Sequence, residues 1–177
     1  MNFFKNKTIL ITGSCGTVGS ELINQLLSNY SLGLKKIVGI DTNESLIFFQ
    51  NQKYKKINKA FFYVLDITNK NALENISYGV DIVFHCAALK HVIISEKAPD
   101  QAVETNITGI QNLINAALKS KVKNVIITSS DKAVNPTNVM GASKRVSELY
   151  VNTLNKHQKT KYIITRFGNV LGSSGSV

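Results

Sequence analysis

Short apolar runs that end at glycine or aspartate alternate along this chain with stretches whose apolar residues recur at helical spacing. Lys7-Thr8-Ile9-Leu10-Ile11-Thr12 stops at Gly13 and predicts a parallel strand buried on both faces, because such strands have no polar side. From Thr17 to Asn29, Val18, Leu22, Ile23, Leu26 and Leu27 mark one face of a helix. Further strands are predicted at Ile37–Asp41, Phe61–Asp66, Asp81–Ala87, Asn124–Thr128 and Tyr162–Thr165. Helices fall between them, at Asn43 to about Lys56, Asn69 to Ile76, Pro99 to Ser120 and Gly141 to about His157. The long one carries Val103, Ile107, Ile110, Leu113, Ile114 and Ala117 on one face. Strands alternating with helices require right-handed crossovers. The expected fold is therefore α/β, a doubly wound, Rossmann-like parallel sheet of six strands. Residues 1–167 form one domain, and 168–177 read as a loop leaving the sheet.

Composition adds bounds. The chain has 177 residues, 44% hydrophobic and 18% charged, enough for one well-buried domain. No apolar run approaches the roughly 18 residues of a membrane span. With so short a lead before the first strand, no signal peptide is expected, and two cysteines, Cys15 and Cys86, suit a reduced, cytoplasmic chain. The net charge of +10 comes almost wholly from lysines scattered over helices and loops, with only Arg145 and Arg166 as arginines. Nucleic-acid binding would concentrate such charge and interleave it with aromatics, so no nucleic-acid partner is expected. An anionic small molecule would still be drawn to this surface. His85 and His91 have no cysteine or carboxylate at ligand spacing, so no metal site is expected.

The first chemistry-bearing stretch is Thr12-Gly13-Ser14-Cys15-Gly16-Thr17-Val18-Gly19, between the first strand and the first helix. Gly13 allows a tight turn, Gly16 a close approach of pyrophosphate, and Gly19 close packing of helix on strand. The helix N-terminus then offers amides and positive dipole to phosphate. Asp41, ending the second strand, is placed to accept hydrogen bonds from ribose hydroxyls and would repel a 2′-phosphate, favouring NAD over NADP. Asp66 and Ile67, after the third strand, bracket the adenine. Cofactor-binding candidates are thus Gly13, Cys15, Gly16, Thr17, Val18, Gly19, Asp41, Asp66 and Ile67.

The three-and-three glycine spacing resembles the extended short-chain dehydrogenase/reductases, most of which act on nucleotide sugars. His85-Cys86-Ala87-Ala88 and Thr105-Asn106-Ile107-Thr108-Gly109 match other motifs of that branch, which adds Ala87, Ala88 and Asn106 to the cofactor site. Ser129-Ser130-Asp131-Lys132-Ala133-Val134-Asn135-Pro136, followed by Asn138-Val139-Met140-Gly141-Ala142-Ser143-Lys144-Arg145, is similar to the polysaccharide-biosynthesis nucleotide-sugar 4,6-dehydratases. Ala87-Ala88-Leu89-Lys90-His91-Val92 and Arg166-Phe167-Gly168-Asn169-Val170-Leu171-Gly172-Ser173 resemble the same family, whose usual substrate is UDP-N-acetylglucosamine. Two departures stand out: Ser130 where threonine is commoner, and Ser14-Cys15 where a second glycine is usual.

The resemblance implies a chemistry within residues 128–145. Where related dehydrogenases place a tyrosine base four residues before the lysine, this chain has Met140, a thioether with no proton to exchange. A 4,6-dehydratase oxidises C4 of the sugar, eliminates water across C5 and C6, and returns hydride to C6. On this expectation Lys132 removes the C5 proton and Asp131 protonates the leaving C6 hydroxyl, which asks for a lowered lysine pKa and a raised carboxyl pKa. Ser130 hydrogen-bonds a sugar oxygen, and Lys144 holds the nicotinamide ribose. The base for the C4 hydroxyl is left between Asp131 and a bound water. Lys90, Ser129, Arg166 and Asn169 are the expected substrate-binding residues. Family members have a second, smaller C-terminal region over the sugar, so residues 168–177 would begin a truncated substrate region. Two alternatives stay open: an NAD-binding module with little activity alone, and a nucleotide-sugar epimerase, against which Met140 argues. The superfamily also implies a homo-oligomer through the helices after the fourth and fifth strands.

Overall fold

The computed structural model describes residues 3–154 and 159–173. Six parallel strands form one sheet: β1 Thr8–Thr12, β2 Lys36–Asp41, β3 Ala60–Val64, β4 Ile82–His85, β5 Asn124–Ser130 and β6 Lys161–Phe167. Their order is β3-β2-β1-β4-β5-β6, so the chain reverses direction across the sheet between β1 and β4. That break opens a crevice beyond the carboxyl ends of the strands, where open α/β sheets bind ligands. The expected six-stranded doubly wound fold is the one observed.

The two faces follow from side-chain alternation. Ile9 and Ile11 of β1 point to one face with Ile37, Phe62 and Ile82, and are covered by helices α1 (Thr17–Tyr30) and α2 (Glu44–Tyr54) through Ile23, Leu26 and Ile47. Leu10 points the other way with Val38, Val83 and Val125. That face is covered by α3 (Lys70–Ile76), α6 (Gly109–Lys119) and α7 (Val139–Leu154) through Leu73, Leu113, Ile114 and Val151. Asn43 and Asn69 cap α2 and α3, each side-chain oxygen accepting a backbone N–H.

Two differences from the sequence pattern concern the site. A short helix α4, Val92–Lys97, stands where no element was expected; its Val92-Ile93-Ile94 start is a β-branched run without helical periodicity. The helix expected over Pro99–Ser120 consists of α5 (Pro99–Val103), a π-helical turn at Glu104–Thr108, and α6. Such turns insert a residue and re-aim side chains, here Asn106. His157, the expected end of α7, and residues 174–177 of the expected substrate region lie outside the described residues. No helix among the described residues is long and apolar enough to cross a membrane.

Candidate functional site

A cleft of about 870 Å³ opens over the carboxyl ends of the strands. Its floor is the turn from β1 to α1. Gly13 has φ +66°, and a Cβ there would stand 2.6 Å from Ala87 N at the end of β4. A Cβ on Gly19 would collide with the Gly13 carbonyl oxygen, so the helix start is pressed against the turn. A Cβ on Gly16 would meet only that oxygen, at 3.4 Å, an ordinary contact. No side chain caps α1 and its first turn has no acid, which leaves its amides and dipole available to an anion.

Two side chains brace this turn. Asp41 accepts from Cys15 N at 3.0 Å through Oδ2 and from Asn43 N at 3.1 Å through Oδ1, while still lining the cleft. Gln50, which sequence reasoning passed over, donates to the Ser14 carbonyl at 2.8 Å and accepts from Ser14 Oγ at 3.0 Å. Its position on the Ile47/Gln50/Tyr54 face of α2 was the available signal, since a polar residue on an inward face must find partners. Cys15, within the turn, donates its amide to Asp41, and its Sγ lies 3.7 Å from Gln50 Oε1.

Gly13, Gly16, Thr17, Val18, Gly19, Asp41, Asp66, Ile67, Ala87 and Ala88 do line the cleft. Asn106 does not: it is 1% exposed, and its amide accepts from Leu89 N at 2.9 Å and donates to Leu89 O at 3.0 Å and Ser143 Oγ at 2.9 Å. Every polar atom of that side chain is engaged in holding the cleft's edge to α7.

At the end of β5, Ser130 and Lys132 line the cleft while Asp131 stands outside its wall, more than half exposed. Asp131 Oδ1 accepts from Ser130 Oγ at 2.9 Å, Lys132 N at 2.8 Å and Lys132 Nζ at 3.3 Å. The Ser130 hydroxyl, and after it the Lys132 donors, hold the Asp131 carboxyl below its usual range. The expected raised pKa is therefore not met in this open cleft; three donors favour the charged form. Lys132 Nζ also donates to Asn169 Oδ1 at 3.3 Å, drawing the segment after β6 to the same point.

Met140 and Lys144, at the start of α7, are buried and also line the cleft, next to the end of β5. Gly141 lets that helix approach, since a Cβ would strike the Lys132 carbonyl oxygen. Lys144 Nζ donates to the Thr128 carbonyl at 3.1 Å, and burial pushes its pKa down to about 8. Behind it, His85 Nδ1 lies 2.7 Å from Thr12 Oγ1, and burial pushes this imidazole down to about 3. Burial drives the Cys86 thiol up to about 12. Both are neutral near pH 7.

Of the expected substrate contacts, Lys90 and Asn169 line the cleft. Arg166 Nε and Nη2 donate to Glu148 at 2.8 and 2.7 Å, which ties this side chain to α7 beside the cleft. Ser129 reaches the wall, but its hydroxyl donates to Glu148 at 2.7 Å. Glu148 was missed by sequence reasoning; it follows Lys144 by one helical turn on the inward face, where an acid demands a cation. No group of three metal-ligating side chains occurs among the described residues.

Comparison with known proteins accords with this geometry. The chain is 39% identical to a UDP-N-acetylglucosamine 4,6-dehydratase (inverting) of Campylobacter jejuni, over 98% of this chain and 52% of that protein. It is also 39% identical to a UDP-glucose 4-epimerase of Rickettsia bellii, over 98% of this chain and 52% of that one. The X-ray structure of Pen from Bacillus thuringiensis superposes with TM-score 0.92 at 36% identity, over 99% of this chain and 54% of that one. The chain thus spans about half the length of these relatives. Residues 9–177 match the family described as polysaccharide biosynthesis protein, and to that family this chain belongs.

Proposed function

We propose that this chain is the NAD-binding and catalytic portion of a nucleotide-sugar 4,6-dehydratase acting on UDP-N-acetylglucosamine. The observation that carries this is the Asp131–Lys132 pair, 3.3 Å apart at the end of β5, next to a helix that offers Lys144 with Met140 in place of a proton-transferring side chain. The residues present suit a dinucleotide. Gly16, whose Cβ would meet only the Gly13 carbonyl oxygen, leaves the floor of the cleft open to a pyrophosphate, and Asp41 faces the cleft with lone pairs to spare. The same carboxylate supports NAD over its 2′-phosphorylated form.

Bound NAD supplies the acceptor for hydride from C4 and the donor of hydride to C6, and ends unchanged. Lys144 would hold the nicotinamide ribose, and its positive charge favours loss of hydride from C4. The C4 hydroxyl proton passes to a bound water as the ketone forms, and the ketone acidifies the C5 proton. Lys132 takes that proton while the C6 hydroxyl leaves as water with a proton from Asp131, and gives it back to C5 as hydride adds to C6. As an ion pair the two residues already hold the one proton required. Moving it from ammonium to carboxylate makes a neutral amine beside a carboxylic acid with no change in net charge. Water excluded by a sugar ring over the pair penalises the charged form and drives that shift. Exposed Val146 and Leu149 on α7 support a homo-oligomer through that helix.

A UDP-glucose 4-epimerase among the relatives favours a second reading, inversion at C4 without loss of water. Incubation with NAD and UDP-N-acetylglucosamine separates the two. Dehydration gives a product lighter by one water, epimerisation leaves the mass unchanged, and NAD binding with neither change identifies a module without turnover of its own. In heavy water, Lys132→Ala should lose deuterium incorporation at C5; undiminished incorporation refutes the role given to Lys132.

A further inference from the structure

The mechanism above leaves one buried charge unused. Glu148 is 3% exposed, a depth at which a carboxylate persists only with a full set of donors. Oε1 accepts from Ser129 Oγ at 2.7 Å and Arg166 Nε at 2.8 Å; Oε2 accepts from Arg166 Nη2 at 2.7 Å and Arg145 Nη1 at 3.2 Å. Four donors occupy the four acceptor sites of a carboxylate. They come from β5, β6 and α7. Ser129 and Arg166 are also paired across the sheet, immediately before the segments that carry Asp131–Lys132 and Asn169. On α7, Lys144 lies one turn before Glu148 and reaches the Thr128 carbonyl, next to Ser129.

We infer that Glu148 is a positioning residue for the cleft, fixing the ends of β5 and β6 against α7 and holding Lys144 in its charged form. Lys144 is coupled electrically to His85 and Cys86 at the end of β4 and to Glu148 on its own helix. The imidazole and the thiol are neutral near pH 7, so Glu148 is the anion of that set. Arg145 and Arg166 reach the carboxylate rather than the amine. Between α7 and β5 lies a hole of about 10 Å³ with an apolar lining, bordered by both Lys144 and Glu148. It is at the lower limit for one water, so little solvent screens the carboxylate's field at the amine. Burial works against the ammonium of Lys144; a Cys86 thiolate would favour it, but that thiol keeps its proton near pH 7, which leaves Glu148 as the charge that works for it.

The consequence for turnover rests on the dehydratase proposal, whereas the charge on Lys144 does not and is measured separately. The full chain, labelled with 13C-lysine, is titrated by NMR, the Lys144 signal being identified by its loss in Lys144→Arg. Glu148→Gln should lower the Lys144 midpoint by roughly one pH unit, as loss of a nearby opposite charge does. Glu148→Asp should restore it. Should Glu148→Gln fail to fold, Arg166→Gln keeps the carboxylate while removing a cation beside it, and the Lys144 midpoint should rise instead. An unchanged midpoint in the folded variant overturns the inference. With NAD and UDP-N-acetylglucosamine, the alkaline limb of the rate should move to lower pH in step with the titration. A wild-type chain that makes no dehydrated product while Lys144 still responds to Glu148 removes the dehydratase proposal and leaves this one standing.

Discussion

Substituting alanine at each glycine of the β1–α1 turn separates the packing role of that turn from its ligand role. At Gly19 the added Cβ meets three backbone atoms: the Gly13 carbonyl oxygen, and Gly13 C and Ser14 Cα, both at 3.0 Å. None is the flexible end of a side chain, so relief requires α1 to move off the turn. Overpacking of this kind costs about 2 kcal/mol. For a chain of this size that corresponds to a fall in Tm of roughly 4–8 °C. At Gly13 the Cβ meets Cys86 C at 2.7 Å and Ala87 N at 2.6 Å, and φ +66° adds about 1–2 kcal/mol for a left-handed non-glycine residue. Gly13→Ala should therefore be the most destabilising of the three. At Gly16 the sole neighbour is at 3.4 Å, so stability should change by less than about 0.5 kcal/mol. Its methyl group would instead project towards bound pyrophosphate. Thermal unfolding followed by circular dichroism, together with NAD titration by calorimetry, reads both effects. Gly16→Ala should weaken NAD binding at least about tenfold, some 1.4 kcal/mol, with Tm unchanged. Equal loss of Tm in Gly16→Ala and Gly19→Ala would refute this division of labour, as would undiminished NAD binding by Gly16→Ala.

Acid should unfold the chain in two stages. His85 has its folded pKa depressed to about 3, so from pH 6.5 downward the unfolded state binds a proton that the native state does not, and stability falls. Glu148, held at about 2 chiefly by the Arg166 hydrogen bonds, withdraws further stability, on the order of 2–3 kcal/mol, as pH drops from 4.5 towards 2. Urea midpoints measured against pH should show the upper stage vanish in His85→Gln while the lower one persists. At the alkaline end the sign is the same: Lys144 loses its proton near pH 8 in the native state and near 10.5 when unfolded, so across that window the unfolded state again holds more protons and stability should rise with pH. Asn106→Leu would leave Leu89 N–H, Leu89 C=O and Ser143 Oγ without their shared partner, at a cost of about 2–4 kcal/mol. This should appear as a lowered urea midpoint with an unchanged slope.

The architecture was legible because its signals are local. Ile9-Leu10-Ile11 reads as a strand buried on both faces whatever surrounds it, and it is fully buried in the structure. Gly13 announces the turn through a left-handed backbone, and Gly19 through a packing that leaves no room for a side chain. Asp131-Lys132 and Met140 were found because they are close in sequence. Helix α4 escaped because Val92-Ile93-Ile94 gives no period, and its residues fold as a helix only against α7 and α5.

What the amino-acid order decided alone was therefore the succession of elements, the glycine turn and the acid closing β2, since each depends on neighbours a few residues away. The tertiary structure decided which polar groups face the cleft and which are spent on one another. It turned Arg166 to Glu148, drew Asn106 behind the wall, aimed Gln50 at Ser14 and left Asp131 ionised under three donors. A carboxylate or amide takes its role from whichever partners lie within about 3 Å, and for Glu148 and Arg166 those partners meet only when β5, β6 and α7 come together.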